Sequence, residues 1–247
     1  MVTEKNGFYG KADDPSVGGS NIFGCHPNSI QRLNRGLFLP TFIEQALVYM
    51  TKFGLTSVGI FRKSGVKSRI NALKKQIEDG EKVDLDSLCV FDVADLVKTW
   101  LRDLNPHLIG KELIDAFVKS KEKFTLWHLD DSQRYLLFVV LKFLSTVASH
   151  SKQNQMTASN LAICFSPSLC DCETEQYILS AQKCLEHCIE NAESLFYIAV
   201  NGIAAKLAHS PNRHTSTAII NASPQDILNR LLYERFVRLS YYQLAIC

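Results

Sequence analysis

Arg62 stands in a seven-residue stretch, Gly59-Ile60-Phe61-Arg62-Lys63-Ser64-Gly65, immediately ahead of an amphipathic helix pattern. A guanidinium is planar, always charged and able to make two parallel hydrogen bonds to phosphate oxygens. Carried on a short glycine-bracketed loop, it can neutralise charge developing on a transferring phosphoryl group, an effect worth about 10³–10⁵ in rate or roughly 4–7 kcal/mol of barrier. Phe61 reads as the hydrophobic anchor of this loop, and Gly59 and Gly65 as the residues that allow its turns and close approach. For a lone arginine the simpler reading is a solvated side chain capping the basic helix that follows.

The elements around the loop give Arg62 its context. Val66, Ile70, Leu73 and Ile77 predict a helix over 66–78, with Lys63, Lys67, Arg69, Lys74 and Lys75 on the remaining surface. Such a charge run is ordinarily a solvated face; next to Arg62 it would also steer an acidic partner. A second helix, with Asp92 as its expected N-cap, buries Val93, Leu96, Val97, Trp100, Leu101 and Leu104 and turns Asp95, Lys98 and Arg102 to the opposite, exposed side. Surface pairing with Asp95 and other acids, worth a few tenths of a kcal/mol per pair, would account for Lys98 and Arg102. Thr157 is the expected N-cap of a third helix that runs through Leu161 and Ile163 and stops before Pro167. Asn160 falls in its first turn, where local hydrogen bonding is an asparagine's usual task.

Elsewhere the apolar spacing predicts helices from Pro40 to a stop at Gly54, over 130–150 and over 173–200. No sustained apolar alternation or hairpin turn occurs, so the fold class is all-α, a multi-helix domain over 21–205. Residues 1–20, rich in Gly, Asp, Ser and Lys, read as a flexible lead-in, and 206–247 as a linker and tail.

Composition narrows the function classes. With 247 residues, 46% hydrophobic and 21% charged, the chain suits one globular domain with tails, and a net charge of +2 makes no case for nucleic acid as partner. No apolar run is long enough to span a bilayer, the N-terminus lacks a signal-peptide pattern, and the eight cysteines lack the regular spacing of a secreted disulfide scaffold, so the chain reads as cytoplasmic with reduced thiols. Cys170, Cys172, Cys184, His187 and Cys188 contain no Cys-x₂-Cys pair, and Cys184 and Cys188 share an apolar helical stripe, so no metal is expected. No phosphate-binding Gly-rich loop, nucleophile elbow or His-Glu-x-x-His helix occurs.

The stretches quoted above, with Asp92-Val-Ala-Asp-Leu-Val-Lys98-Thr-Trp-Leu-Arg102-Asp-Leu and Asn154-Gln-Met-Thr157-Ala-Ser-Asn160-Leu-Ala-Ile-Cys-Phe-Ser-Pro167-Ser-Leu, fall in an order that resembles a Rho GTPase-activating (RhoGAP) domain over most of 21–200. The resemblance implies an all-α domain that binds a Rho-family small GTPase in its GTP-bound form and delivers Arg62 in trans as an arginine finger. It implies no cofactor of its own, since GTP and magnesium would be bound by the partner GTPase. It also implies that Lys98 and Arg102 face the GTPase and help orient the loop, that Asn160 contacts the partner's switch region, and that the chain acts in signalling to the actin cytoskeleton, recruited to the membrane through its GTPase. Within the family, Phe61–Arg69 and Asn154–Thr157 are most similar to the "deleted in liver cancer" subgroup, in which a lipid-binding START domain follows.

The chain also departs from the family pattern. The usual Leu-Pro-x-Pro-Leu turn reads Leu104-Asn105-Pro106-His107-Leu108, and 117–129 is shorter than its counterpart. Residues 223–235 resemble an internal START segment that breaks off, so a truncated or alternatively spliced product is expected, with too little of that domain to hold a lipid. These departures leave a second expectation open: a catalytically silent module that binds or scaffolds a Rho GTPase.

Overall fold

The computed structural model describes residues 22–33 and 39–195, apart from 122, 123, 125, 127, 128, 172, 173 and 193. The expected lead-in over 1–20 and the START-like tail over 206–247 lie outside the described residues. Within them the chain is all-α: α1 (Pro27–Leu33), α2 (Thr41–Phe53), α3 (Lys67–Glu78), α4 (Val90–Asp103), α5 (Lys111–Lys119), α6 (Asp131–Ser149), α7 (Ser151–Asn154), α8 (Ala158–Leu169) and α9 (Glu175–Glu190). Strand pairing among the described residues is limited to one isolated parallel bridge, Ile109 with Cys170.

Helix α4 is the organising element, because its broad apolar face meets neighbours on several sides. Val93, Leu96, Val97, Trp100 and Leu101 are all buried, and α2, α3 and α8 pack around them. Trp100 is fully buried and keeps its indole N–H satisfied by donating to the Ile22 carbonyl at 3.1 Å, while Phe42 meets its ring edge-on at 6.1 Å. Helix α8 in turn lies against α6 and α9 through Leu161, Ala162, Phe165 and Leu169. The arrangement leaves one end of α4 and the N-terminal half of α8 to support the loop between α2 and α3.

Several sequence expectations are corrected. Asp92 is not the N-cap of its own helix: α4 begins at Val90, and Asp92 lies inside it at 1% exposure. Its carboxylate caps α3 instead, accepting the Val66 N–H at 2.7 Å. Helix α8 continues past Pro167 to Leu169; the proline is exposed in the last turn, and the Ser166 hydroxyl lies 3.5 Å from the Ile163 carbonyl that Pro167, lacking an N–H, does not bond. Val66 points outward rather than joining the buried stripe of its helix. The helix expected over 173–200 is present as Glu175–Glu190, Ala192, Ser194 and Leu195 are helical as well, and the end of that range lies beyond the described residues. Helices α1 and α5 had no counterpart in the sequence reading. The unusual 104–108 turn contains a cis Asn105–Pro106 peptide and buries Leu104 and Leu108.

Candidate functional site

The α2–α3 loop is held from within and from three sides. Glycine at 59, with φ +76°, turns the chain so that its carbonyl accepts the N–H groups of Arg62 at 3.0 Å and Lys63 at 2.9 Å. Phe61 follows in the left-handed region at φ +67°, a conformation that costs a non-glycine residue about 1–3 kcal/mol. Its ring is 1% exposed and packs edge-on against Phe165 at 4.7 Å and Phe143 at 6.0 Å, so α8 and α6 hold the strained residue. The reversal at Phe61 sends the next side chain, Arg62, into solvent.

Helix α4 secures the other half of the loop with three charged side chains. The Lys98 ammonium donates to the Phe61 carbonyl at 2.9 Å and pairs with Asp95 Oδ1 at 2.7 Å. The other oxygen of Asp95 accepts the Gly65 N–H at 2.8 Å. Asp92 takes the Val66 N–H and also Arg69 Nε at 2.6 Å. This brings Gly65 so close to α4 that an added Cβ would sit 2.5 Å from Asp92 Oδ1 and 2.7 Å from Asp92 Cα. Lys98 is therefore not on an open face as expected: its side chain is 16% exposed, committed to the loop and to Asp95. Arg102, one turn on, is exposed, and its Nη2 lies 3.3 Å from Thr99 Oγ1 on its own helix rather than on the loop.

The third side is the turn between α7 and α8. The Gly59 N–H donates to the Asn154 carbonyl at 2.8 Å. Gln155 follows in the left-handed region at φ +62°, and its carbonyl accepts Asn160 Nδ2 at 3.1 Å. Thr157 caps α8 as expected, its hydroxyl accepting the Asn160 N–H at 3.2 Å. Asn160 is thus joined to Gly59 through two successive backbone carbonyls. One turn further along α8, burial pushes the Cys164 thiol above its ordinary pKa against the opposing pull of Lys98 and Arg62, so the thiol is protonated at neutral pH and the two cations lie within its electrostatic reach.

Of the sequence-selected residues, Gly59, Phe61, Arg62, Gly65, Lys98 and Asn160 meet in one network, and Arg102 stands beside it. Asp92, Asp95 and Asn154 were not selected. The signal for Asp92 was its register: four residues before Leu96, it occupies a core-facing position, where a carboxylate needs partners. Asp95 was legible as the i, i+3 partner of Lys98, and only its reach to Gly65 was hidden. Chemically, the site offers an exposed guanidinium on a loop with no freedom to collapse, suited to a phosphate brought by another molecule. Among the described residues no group of three or more His, Cys, Asp and Glu side chains is arranged to hold a metal, and no helix is long and apolar enough to cross a membrane.

The RhoGAP domain profile matches residues 40–174, which includes the loop, α4 and the whole of α8. Mouse Rho GTPase-activating protein 7 is 37% identical over 167 residues, covering 63% of this chain and 15% of the relative. Mouse StAR-related lipid transfer protein 8 is 38% identical over 175 residues, covering 66% and 17% respectively, so the chain spans under a fifth of these relatives' length. The crystal structure of human Rho GTPase activating protein 15 shares the fold, with a TM-score of 0.65 at 23% identity over 71% of this chain and 92% of that one. The helical frame that clamps the Arg62 loop and the profile spanning it lead to one assignment: the chain belongs to the RhoGAP domain family.

Proposed function

We propose that this chain binds the GTP-loaded form of a Rho-family GTPase and places Arg62 beside the β- and γ-phosphates, accelerating hydrolysis in trans. The observation that carries this reading is the exposed Arg62 following a left-handed Phe61 that is buried and bonded from α4. The backbone that carries this side chain is ordered at folding rather than at binding. Its guanidinium then meets charge that builds on the phosphoryl oxygens as the bond to the leaving group breaks. GTP, magnesium and the residue that orients the attacking water belong to the partner. Val58 and Val66, exposed on either side of the loop, and Ile163, exposed one turn from Asn160, add apolar surface beside the charged groups that a protein partner could cover. Arg102 and Asn160 would touch the partner, and Lys98 would act from beneath by fixing the Phe61 carbonyl.

Single-turnover hydrolysis of GTP on a purified Rho protein, with and without the chain, tests the reading. Acceleration should fall at least about 10³-fold in Arg62→Ala and nearly as far in Arg62→Lys, because a point charge cannot reproduce the guanidinium fork. Binding to the GTP-loaded partner should survive both changes. Binding without acceleration by the unmutated chain would make it the silent interaction module instead, and a stoichiometric co-purifying lipid would point to the START-like tail.

A further inference from the structure

We propose that Asn154 is a positioning residue that locks the Arg62 loop to the Asn160 turn, so that the two halves of the site move as one. The inference rests on the function proposed above and names a residue that touches neither partner nor phosphate.

Asn154 ends α7 and is fully buried. Its side chain makes three hydrogen bonds to three different parts of the chain. Nδ2 donates to the Leu55 carbonyl at 2.8 Å, in the segment that leads into the loop, and to the Val147 carbonyl at 2.9 Å, at the end of α6. Oδ1 accepts the Met156 N–H at 2.7 Å, in the turn that starts α8. Two carbonyls can be met only by an amide NH₂ and an N–H only by an amide oxygen, so the partners fix which way the group points. The backbone of the same residue accepts the Gly59 N–H. With the side chain pinned at three points, that carbonyl is held towards Gly59, the residue whose own carbonyl closes the turn under Arg62 and Lys63. On its other side Asn154 leads directly into Gln155, whose carbonyl holds the Asn160 amide.

Loss of these bonds should misplace Arg62 without removing any group that meets the partner. A displacement of about an ångström in a positioned catalytic group costs on the order of 10² in rate. The test uses the full chain and three variants: Asn154→Ala, Asn154→Asp and Asn154→Ala combined with Arg62→Ala. The Asp variant keeps the shape and the acceptor for Met156 while removing both Nδ2 donors, and serves if the Ala variant does not fold. At saturating chain, the folded single variants should hydrolyse GTP on the Rho protein about 10²-fold more slowly, with Kd for the GTP-loaded partner changed less than about threefold. Amide exchange at Gly59, read by NMR, should quicken in the same variants. In the Arg62→Ala background Asn154→Ala should cost nothing further, since it acts through that arginine. Unmutated rate and unmutated Gly59 exchange in folded Asn154→Asp would overturn the inference, as would an equal loss with and without Arg62. Absence of acceleration by the unmutated chain would instead defeat the proposed function, and Gly59 exchange would still decide whether Asn154 holds the loop.

Discussion

Phe61 has to satisfy two opposed demands, and the magnitudes show why it can. The left-handed backbone costs about 1–3 kcal/mol. Full burial of an aromatic ring returns about 1.5–3 kcal/mol, and each edge-on aromatic pair adds about 0.5–1.5. Packing against Phe143 and Phe165 therefore offsets the strain and leaves the ring in place. Gly65 obeys a different constraint, since its need is space rather than a positive φ. Gly65→Ala would drive a methyl group to 2.5 Å from Asp92 Oδ1 and 2.9 Å from the Phe91 carbonyl, so we expect a loss of about 2–3 kcal/mol in urea unfolding, with the loop displaced. An unchanged midpoint would mean that α3 and α4 can separate at no cost. At this scale the sequence showed where the glycines bracket Arg62 but not why each is needed, because a distance to another helix leaves no trace in local order.

Between elements, the joint that matters is α3 on α4. It uses two ion pairs of different worth. Lys74 and Asp103 meet at 2.6 Å with side chains about a third exposed, so Lys74→Ala should cost no more than about 1 kcal/mol. Asp92 is buried and serves both Arg69 and the N-terminus of α3, and Asp92→Ala should cost about 2–4 kcal/mol and loosen the start of α3. Thermal unfolding of the two variants side by side checks the order. Helical periodicity exposed α2, α3, α4, α6 and α8 because each is long enough to repeat its stripe. It missed α1 and α5, of seven and nine residues, where two turns hold too few repeats to stand out. It assigned Asp92 to its own helix because capping rules look along a chain, and this cap reaches across from another element.

For the molecule as a whole, stability should depend on acidity through His187. Its ring lies 5.4 Å from Phe117 and 6.1 Å from Phe124, between α5 and α9, and its Nδ1 accepts from Asn191 Nδ2 at 3.1 Å. Burial, then the positive charge of Lys121, hold its pKa below 6.5 despite Glu190. The unfolded chain thus binds the proton more readily than the folded one. Stability is fully present above pH 6.5 and falls as pH drops from there towards the lower folded value. Melting temperature should decline between pH 7.5 and 5.5, and His187→Gln should flatten that decline. The all-α class was legible from the lack of strand patterns, and the order of the site segments was legible from their likeness to a family. The convergence of α4, α6 and α8 beneath one loop was not, since it depends on contacts between residues up to about a hundred positions apart, such as Asn154 with Leu55.

That convergence also bears on portability. A synthetic peptide copying residues 59–65 would carry Arg62 with its glycines and nothing else. It would lack Lys98 on the Phe61 carbonyl, Asp95 on the Gly65 N–H, and the Asn154 carbonyl on Gly59, along with the aromatic seat for Phe61. Freed of these, the backbone would have to be ordered at binding for about 1–2 kcal/mol per residue, more than one guanidinium contact returns. The smallest unit that can be transplanted with the loop's geometry intact is the helical frame itself, and a peptide built on the loop alone would behave as an ordinary basic peptide.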